Sequence, residues 1–204
     1  INFIYSHAKS EISNNLRSVL VDNSTLPIET ERLIIRPFQK EDYINWYTQF
    51  NNRYPSQYKY DEGRPLDMSS LTKDWFFKWI NGFNELEKND VMYNFGIFRK
   101  EDGVNVGKVE LHKILRMDYQ WAMMGYSLHN QFWGKGYGTE SVLAATEWFF
   151  STLNFHRIEL HINKDNKPSI KLAEKTGFRF ECVRKEFSLE DDQWTDLLIY
   201  YKNR

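Results

Sequence analysis

The sequence predicts an α+β domain: a mixed, mostly antiparallel sheet of about six to seven strands flanked by helices. Three observations carry this reading. Alternating apolar segments and segments of helical period follow in the order strand, two helices, three strands, helix, strand, helix, two strands. Turn signals at Glu101-Asp102-Gly103 and Leu189-Glu190-Asp191-Asp192 join neighbouring strand segments, which makes those pairs antiparallel. Three glycines, Gly134, Gly136 and Gly138, sit where a strand hands over to a helix.

A length of 204 residues suits one domain. Residues 29–204 read as that domain, and 1–28 as an N-terminal extension with a short helix over 11–21 or a disordered arm. The first strand is Leu33-Ile34-Ile35, stopped at Pro37. Lys40 to Phe50 has helical period. Asn51 to Pro65 is rich in Asn, Tyr, Gly and Pro and reads as loop. Ser69 to Leu86 reads as a second helix, with Leu71, Trp75, Trp79 and Phe83 along one side as a core stripe. Val91–Arg99, Val104–Leu115 and Tyr119–Leu128 are strands, and Tyr137 to Leu153 is a helix. Ile158, Leu160 and Ile162 alternate with polar residues in a strand over Arg157–Asn163. In the last helix, Asn166 can cap, Pro168 fits the first turn and Gly177 can end it. Phe178–Phe187 and Trp194–Tyr201 make a final hairpin.

Composition excludes several classes. The 27 basic and 28 acidic residues leave a net charge of −1, so nothing argues electrostatically for a nucleic-acid or membrane-surface partner. Cys182 is the single cysteine, which excludes an internal disulfide and a Cys-based zinc site; no metal is expected. No apolar run reaches membrane-spanning length and no signal peptide is apparent, so a cytoplasmic protein is expected. Exposed aromatics in the last strands could pair two copies as a homodimer.

The glycine turn is the strongest functional signal. Glycine permits positive φ and close approach of a ligand. The helix that follows leaves its first N–H groups unpaired at the positive end of its dipole, which suits a phosphate or diphosphate. The spacing Gly-x-Gly-x-Gly-Thr fits neither the dinucleotide fingerprint, which wants its third glycine at position 139, nor the P-loop, which wants Ser or Thr after Gly-Lys.

Gln131, Gly134 and Gly136 resemble the acyl-CoA loop of the GNAT acetyltransferases, Gln/Arg-x-x-Gly-x-Gly/Ala. The resemblance widens along the chain. Thr30-Glu31-Arg32-Leu33-Ile34-Ile35-Arg36-Pro37-Phe38 is similar to the first strand of the RimJ/RimL-like branch, the ribosomal-protein N-acetyltransferases. Gly125-Tyr126-Ser127-Leu128, Phe155-His156-Arg157-Ile158-Glu159, and Asn163 to Phe178 with Asn166, Ser169, Glu174 and Gly177 resemble later segments in family order.

The resemblance implies acetyl transfer from acetyl-CoA to an amine. The cofactor-binding set would be Leu128, Gln131, Trp133, Gly134, Lys135, Gly136, Tyr137, Gly138, Thr139, Asn166 and Ser169. The diphosphate would sit on the N–H groups of 134–139, with the pantetheine arm along the free edge of the strand ending at Leu128. A backbone N–H near Leu128 would face the thioester oxygen, and Ser169 would lie near the sulfur. One departure matters. Many relatives carry Glu before Ile-Gly-Tyr in the fourth strand, where this chain has Met123 before Met124-Gly125-Tyr126. The spermidine acetyltransferases also carry a tyrosine where this chain has Ala173. Glu110 is the first substitute for the missing base, because an acid between Val109 and Leu111 in a central strand needs a reason. His112 shares its face, and His129 and His161 are further candidates. Tyr126 is a candidate hydroxyl donor. Three functional readings stay open: transfer to a protein N-terminus or small amine; transfer to a polyamine or aminoglycoside; or a module that holds acyl-CoA without turning it over.

Overall fold

The computed structural model describes residues 26–204. The expected helix over 11–21 lies outside the described residues, as does nearly all of the expected extension. Among the described residues there are eight strands and four α-helices. They run β1 (Ile28–Glu29), β2 (Leu33–Pro37), α1 (Tyr43–Asn51), α2 (Lys73–Lys88), β3 (Met92–Arg99), β4 (Asn105–Leu115), β5 (Trp121–Leu128), α3 (Tyr137–Ser151), β6 (Arg157–Asn163), α4 (Lys167–Lys175), β7 (Arg179–Glu190) and β8 (Gln193–Asn203). The α+β class is as expected; the sheet has eight strands rather than six or seven. The extra one is β1, two residues long and too short to show a period. It pairs with β2 through Ile28↔Ile35.

The sheet order is β1-β2-β3-β4-β5-β6-β8-β7, and every neighbouring pair is antiparallel except β5–β6. Alternation of side chains divides the core in two. Leu33, Ile35, Phe95, Val109 and Leu111 face α3, where Val142, Ala145 and Phe149 are fully buried. Phe98 and Ile34 face the other way and pack with Phe38, Trp46, Phe76 and Ile80 under α1 and α2. Helix α2 begins four residues later than its periodicity suggests. Thr72 caps it, its hydroxyl oxygen accepting from the Trp75 N–H at 3.2 Å. Its most buried side chains are Phe76 and Ile80, one position round from the expected stripe, and Trp75 is 37% exposed.

The feature that positions the site is the parallel pair. β5 and β6 are in register only at Trp121↔Arg157, Ala122↔Ile158 and Met123↔Glu159. Beyond Met123, β5 follows β4 as far as Leu128, while β6 follows β8 as far as Asn163. The sheet therefore opens into a slot with Met124–Leu128 on one side.

Candidate active site

The free edge of β5 follows from strand alternation. The His129 N–H donates to Val106 C=O at 3.0 Å, so odd-numbered positions point toward β4. The backbone groups of Tyr126 and Leu128 then point into the slot. Leu128 C=O accepts from Trp133 Nε1 at 3.0 Å. Its N–H faces a position where an oxygen could accept.

At the mouth of the slot lies the glycine turn. Gly134 and Gly136 have φ of +75° and +83°, in the left-handed region where a side chain is strained. Gly136 is the N-cap of α3 and, being glycine, offers no side chain to the first N–H groups. The N–H groups of Tyr137, Gly138 and Thr139 thus stand uncapped, as an anion would require. A methyl group at Gly138 would meet Leu128 and Leu172, each at 3.3 Å, so glycine there lets the turn sit against the slot.

The other loop residues take different places. Lys135 and Trp133 are exposed, and the Lys135 ammonium lies 5.7 Å from the Phe132 ring centroid. The Tyr137 ring is buried, so only its backbone reaches the turn. Gln131 is turned inward: its Nε2 donates to Gln49 C=O at 2.9 Å and ties the turn to the end of α1. Sequence reasoning missed the clamp that holds this turn. Arg32 donates to Lys135 C=O at 2.9 Å and to Glu140 Oε2 at 2.7 Å, and Thr30 Oγ1 donates to Glu140 Oε1 at 2.6 Å. The signal was available in Thr30-x-Arg32, inside a segment quoted for its resemblance, and in Glu140, four residues after Gly136.

Inside the slot, Tyr126 and Ser169 come together. Their hydroxyl oxygens are 3.0 Å apart. Burial pushes the Tyr126 phenol up to about 12, with the Ser169 hydrogen bond opposing only in part, so it keeps its proton at neutral pH. Asn166 caps α4, its Oδ1 accepting from Ser169 N–H and from Tyr58 O–H, each at 3.3 Å. Tyr58 also packs edge-on to Trp133, with centroids 5.8 Å apart. The loop after α1 therefore reaches both sides of the slot. It is organised by Asn130, whose Oδ1 accepts from Tyr54 N–H at 2.7 Å and whose Nδ2 donates to Asp61 at 3.0 Å. Neither residue had a pattern that sequence reading could use.

Across β5 from the slot is a cavity of about 430 Å³ between α1, α2 and β4. Glu110 opens onto it. It pairs with Gly125 on β5, and a methyl group at Gly125 would meet its side chain at 3.1 Å, so glycine makes room for the carboxylate. Lys108 Nζ lies 2.6 Å from Glu110 Oε2, and His112 Nε2 3.5 Å from Oε1. Burial alone would raise its pKa. The His112 hydrogen bond and the Lys108 charge outweigh that and hold the carboxyl down at about 2. His129 is a satisfied core residue: Nδ1 accepts from Arg53 Nε at 2.8 Å, leaving Nε2–H to donate to Asn105 Oδ1 at 3.1 Å. Burial, then the Arg53 charge, brings its pKa down to about 3. His161 lies away from the cavity, with Nε2 2.9 Å from Glu159 Oε2.

A sheet opened between parallel neighbours, with an uncapped glycine turn at its mouth, defines the acetyltransferase class. Residues 32–179 match the family model described as acetyltransferase (GNAT) domain, and the chain belongs to that family. It is 34% identical over 119 residues to YjcK of Bacillus subtilis, covering 58% of this chain and 66% of that protein. It is 30% identical over 116 residues to the ribosomal protein uS5-alanine N-acetyltransferase of Escherichia coli, covering 57% of this chain and 60% of that enzyme. The matches thus span 66% and 60% of the length of these two relatives. The RimJ structure from Mycobacterium smegmatis, in complex with a CoA disulfide, superposes with a TM-score of 0.69 at 20% identity, covering 87% of this chain and 83% of that one. That likeness speaks for the fold. Among the described residues, no helix is long and apolar enough to cross a membrane.

Proposed function

We propose that this protein transfers an acetyl group from acetyl-CoA to a primary amine, of a protein N-terminus or a small molecule, by direct attack. The observation that carries the reading is the free edge of Met124–Leu128, open between the uncapped turn at 134–139 and the cavity holding Glu110. When bound, acetyl-CoA would supply an activated acetyl thioester. Its diphosphate suits the N–H groups of 134–139 with Lys135 beside them, and its arm suits the β5 edge near Trp133 and Asn166.

The amine nitrogen attacks the acetyl carbon, the carbon–sulfur bond breaks, and an amide and a thiol result. The N–H of Leu128 is set to stabilise the oxygen that becomes negative, a contribution of roughly 3 kcal/mol when preorganised. Tyr126 and Ser169 form the proton source for the leaving sulfur. Glu110 stays ionised at neutral pH and attracts the ammonium. The ammonium must lose a proton before attack, through water at Glu110 and His112. A carboxyl held at about 2 is a weak base, so its role is chiefly electrostatic.

Glu110→Gln removes this charge and is expected to raise KM for the amine about 10-fold. The shape of the pH–rate profile should not change above pH 4, because the native group is already ionised there. A KM for the amine within twofold of the native value refutes the role. Met123 in place of the acid of many relatives favours a second reading, a module that binds acetyl-CoA without turnover. Tight binding with no acetylation of any amine would establish it. We also infer a cytoplasmic setting, where acetyl-CoA is available. Pairing of two copies through Phe180, Phe187 and Trp194, all exposed on the last hairpin, would register as a dimer mass in sedimentation.

A further inference from the structure

The cavity beside Glu110 is walled on one side by indoles. Trp46 and Trp75 have centroids 5.7 Å apart at 24°, and Trp75 and Trp79 lie 6.1 Å apart at 16°. Trp46 and Trp79 lie 6.1 Å apart at 34°, so the three rings form a triangular cluster between α1 and α2, with Trp75 close to parallel with each of the others, and all three line the cavity. Packing of the two helices does not require the outermost. Phe76, 0% exposed, and Trp46, 4%, already fill that interface, whereas Trp75 remains 37% exposed. An exposed indole stacked on a buried one is a surface for a flat ring.

The charges around this wall are matched. Arg53 pairs with Glu62 at 3.1 Å, Lys108 pairs with Glu110 at 2.6 Å, and His129 is neutral. Among the lining residues the carboxylates are Glu110, beside the wall, and Glu62, held by Arg53. One ammonium can share Glu110 with Lys108, but the further cations of a polyamine or an aminoglycoside would have to compete with Arg53 for Glu62 or lie unpaired against the indoles. An amine on a methyl-sized body would leave the indole wall against water. The volume, about 430 Å³, is in the range of small-molecule pockets.

We infer that the acceptor is a single primary amine carried on a flat, ring-bearing apolar body, with the ring on the Trp46–Trp75–Trp79 wall and the ammonium toward Glu110. This rests on the acetyl-transfer reading for its chemistry, but the pocket's preference can be measured without it. A free arylalkylamine and a peptide with an N-terminal aromatic residue share this chemistry.

The test uses the full chain in two assays. Calorimetry measures binding of tryptamine, spermidine and kanamycin to protein saturated with CoA. CoA release from acetyl-CoA is followed with tryptamine, phenethylamine, a Trp-initiated peptide, an Ala-initiated peptide, spermidine and kanamycin. The expected result is a kcat/KM for ring-bearing amines at least 10-fold above the others. Trp75→Ala should raise KM for tryptamine at least 10-fold with acetyl-CoA affinity unchanged, and Trp75→Phe, which keeps a ring, should restore most of it. Preference for tryptamine over the Trp-initiated peptide, or the reverse, identifies the source. Tryptamine binding in a Trp75-dependent way without turnover supports the pocket and removes the acetyl-transfer reading. Preference for spermidine, kanamycin or the Ala peptide, or tryptamine that neither binds nor reacts, overturns the inference.

Discussion

Replacing Glu159 with Gln removes one charge from the base of the slot and leaves the side-chain shape intact. Glu159 is 1% exposed and is opposite Met123 at the last paired position before β5 and β6 part. Three cationic or titratable partners converge on it: Arg157 Nε at 2.9 Å, His161 Nε2 at 2.9 Å and Arg184 Nη2 at 3.2 Å. Breaking a fully buried pair costs about 3–5 kcal/mol. Here the arginine side chains are 22% and 25% exposed, and Arg157 keeps Glu181, so about 2–3 kcal/mol is expected. At about 2–4 °C per kcal/mol for a chain of this size, the midpoint should fall by roughly 4–12 °C. Burial alone would raise the Glu159 pKa, but the hydrogen bonds of His161 and Arg157 and the charges of Arg184 and Arg157 bring it below its usual value. A depressed carboxyl contributes stability that is fully present above its unfolded pKa, about 4.3, and lost as the pH falls through the folded value. The gap between native and Glu159→Gln proteins should therefore be constant near pH 7. Below about pH 4.3 it should narrow by about 1.4 kcal/mol per pH unit. Calorimetric scans of both proteins from pH 3 to 8 measure it. A midpoint difference under 1 °C at pH 7, or one that does not narrow in acid, refutes the reasoning.

Other consequences can be checked with the same protein. Gly136→Ala forces a side chain to φ +83° and brings a methyl 3.2 Å from Arg32 Nη2; a loss of about 1–2 kcal/mol and weaker acetyl-CoA binding by calorimetry should follow. His129, held neutral, should show no NMR titration between pH 5 and 8. Because its pKa is lowered, its contribution to stability should fade as the pH drops below the unfolded value of about 6.5. An absorbance titration should lose one tyrosine ionising near pH 12 in Tyr126→Phe, and kcat should fall further in Ser169→Ala than KM rises. Asn130→Ala removes bonds to Tyr54 and Asp61 and should cost about 2–3 kcal/mol, with faster proteolysis across the loop after α1.

What the sequence determined by itself was local and periodic. Alternation at Ile158, Leu160 and Ile162 defined β6 to the residue, and Asn166, Pro168 and Gly177 marked both ends of α4, because caps and periods act within a few residues. The glycine turn was legible for the same reason: positive φ and a missing cap are properties of the turn itself. Tertiary structure decided the rest. Two residues of β1 carry no period and exist as a strand only because β2 offers an edge. The aromatic side of α2 read as core, since spacing cannot say that Phe76 fills the interface first and leaves Trp75 to line a cavity. Glu110 and His112 could be singled out in β4, but not the Lys108 that joins His112 in holding the carboxyl at about 2. Nor could the chain order reveal that Tyr126 meets Ser169, 43 residues on, or that β5 and β6 part after three pairs. Those facts depend on which strands become neighbours, and that follows from burial of the whole sheet between its helices.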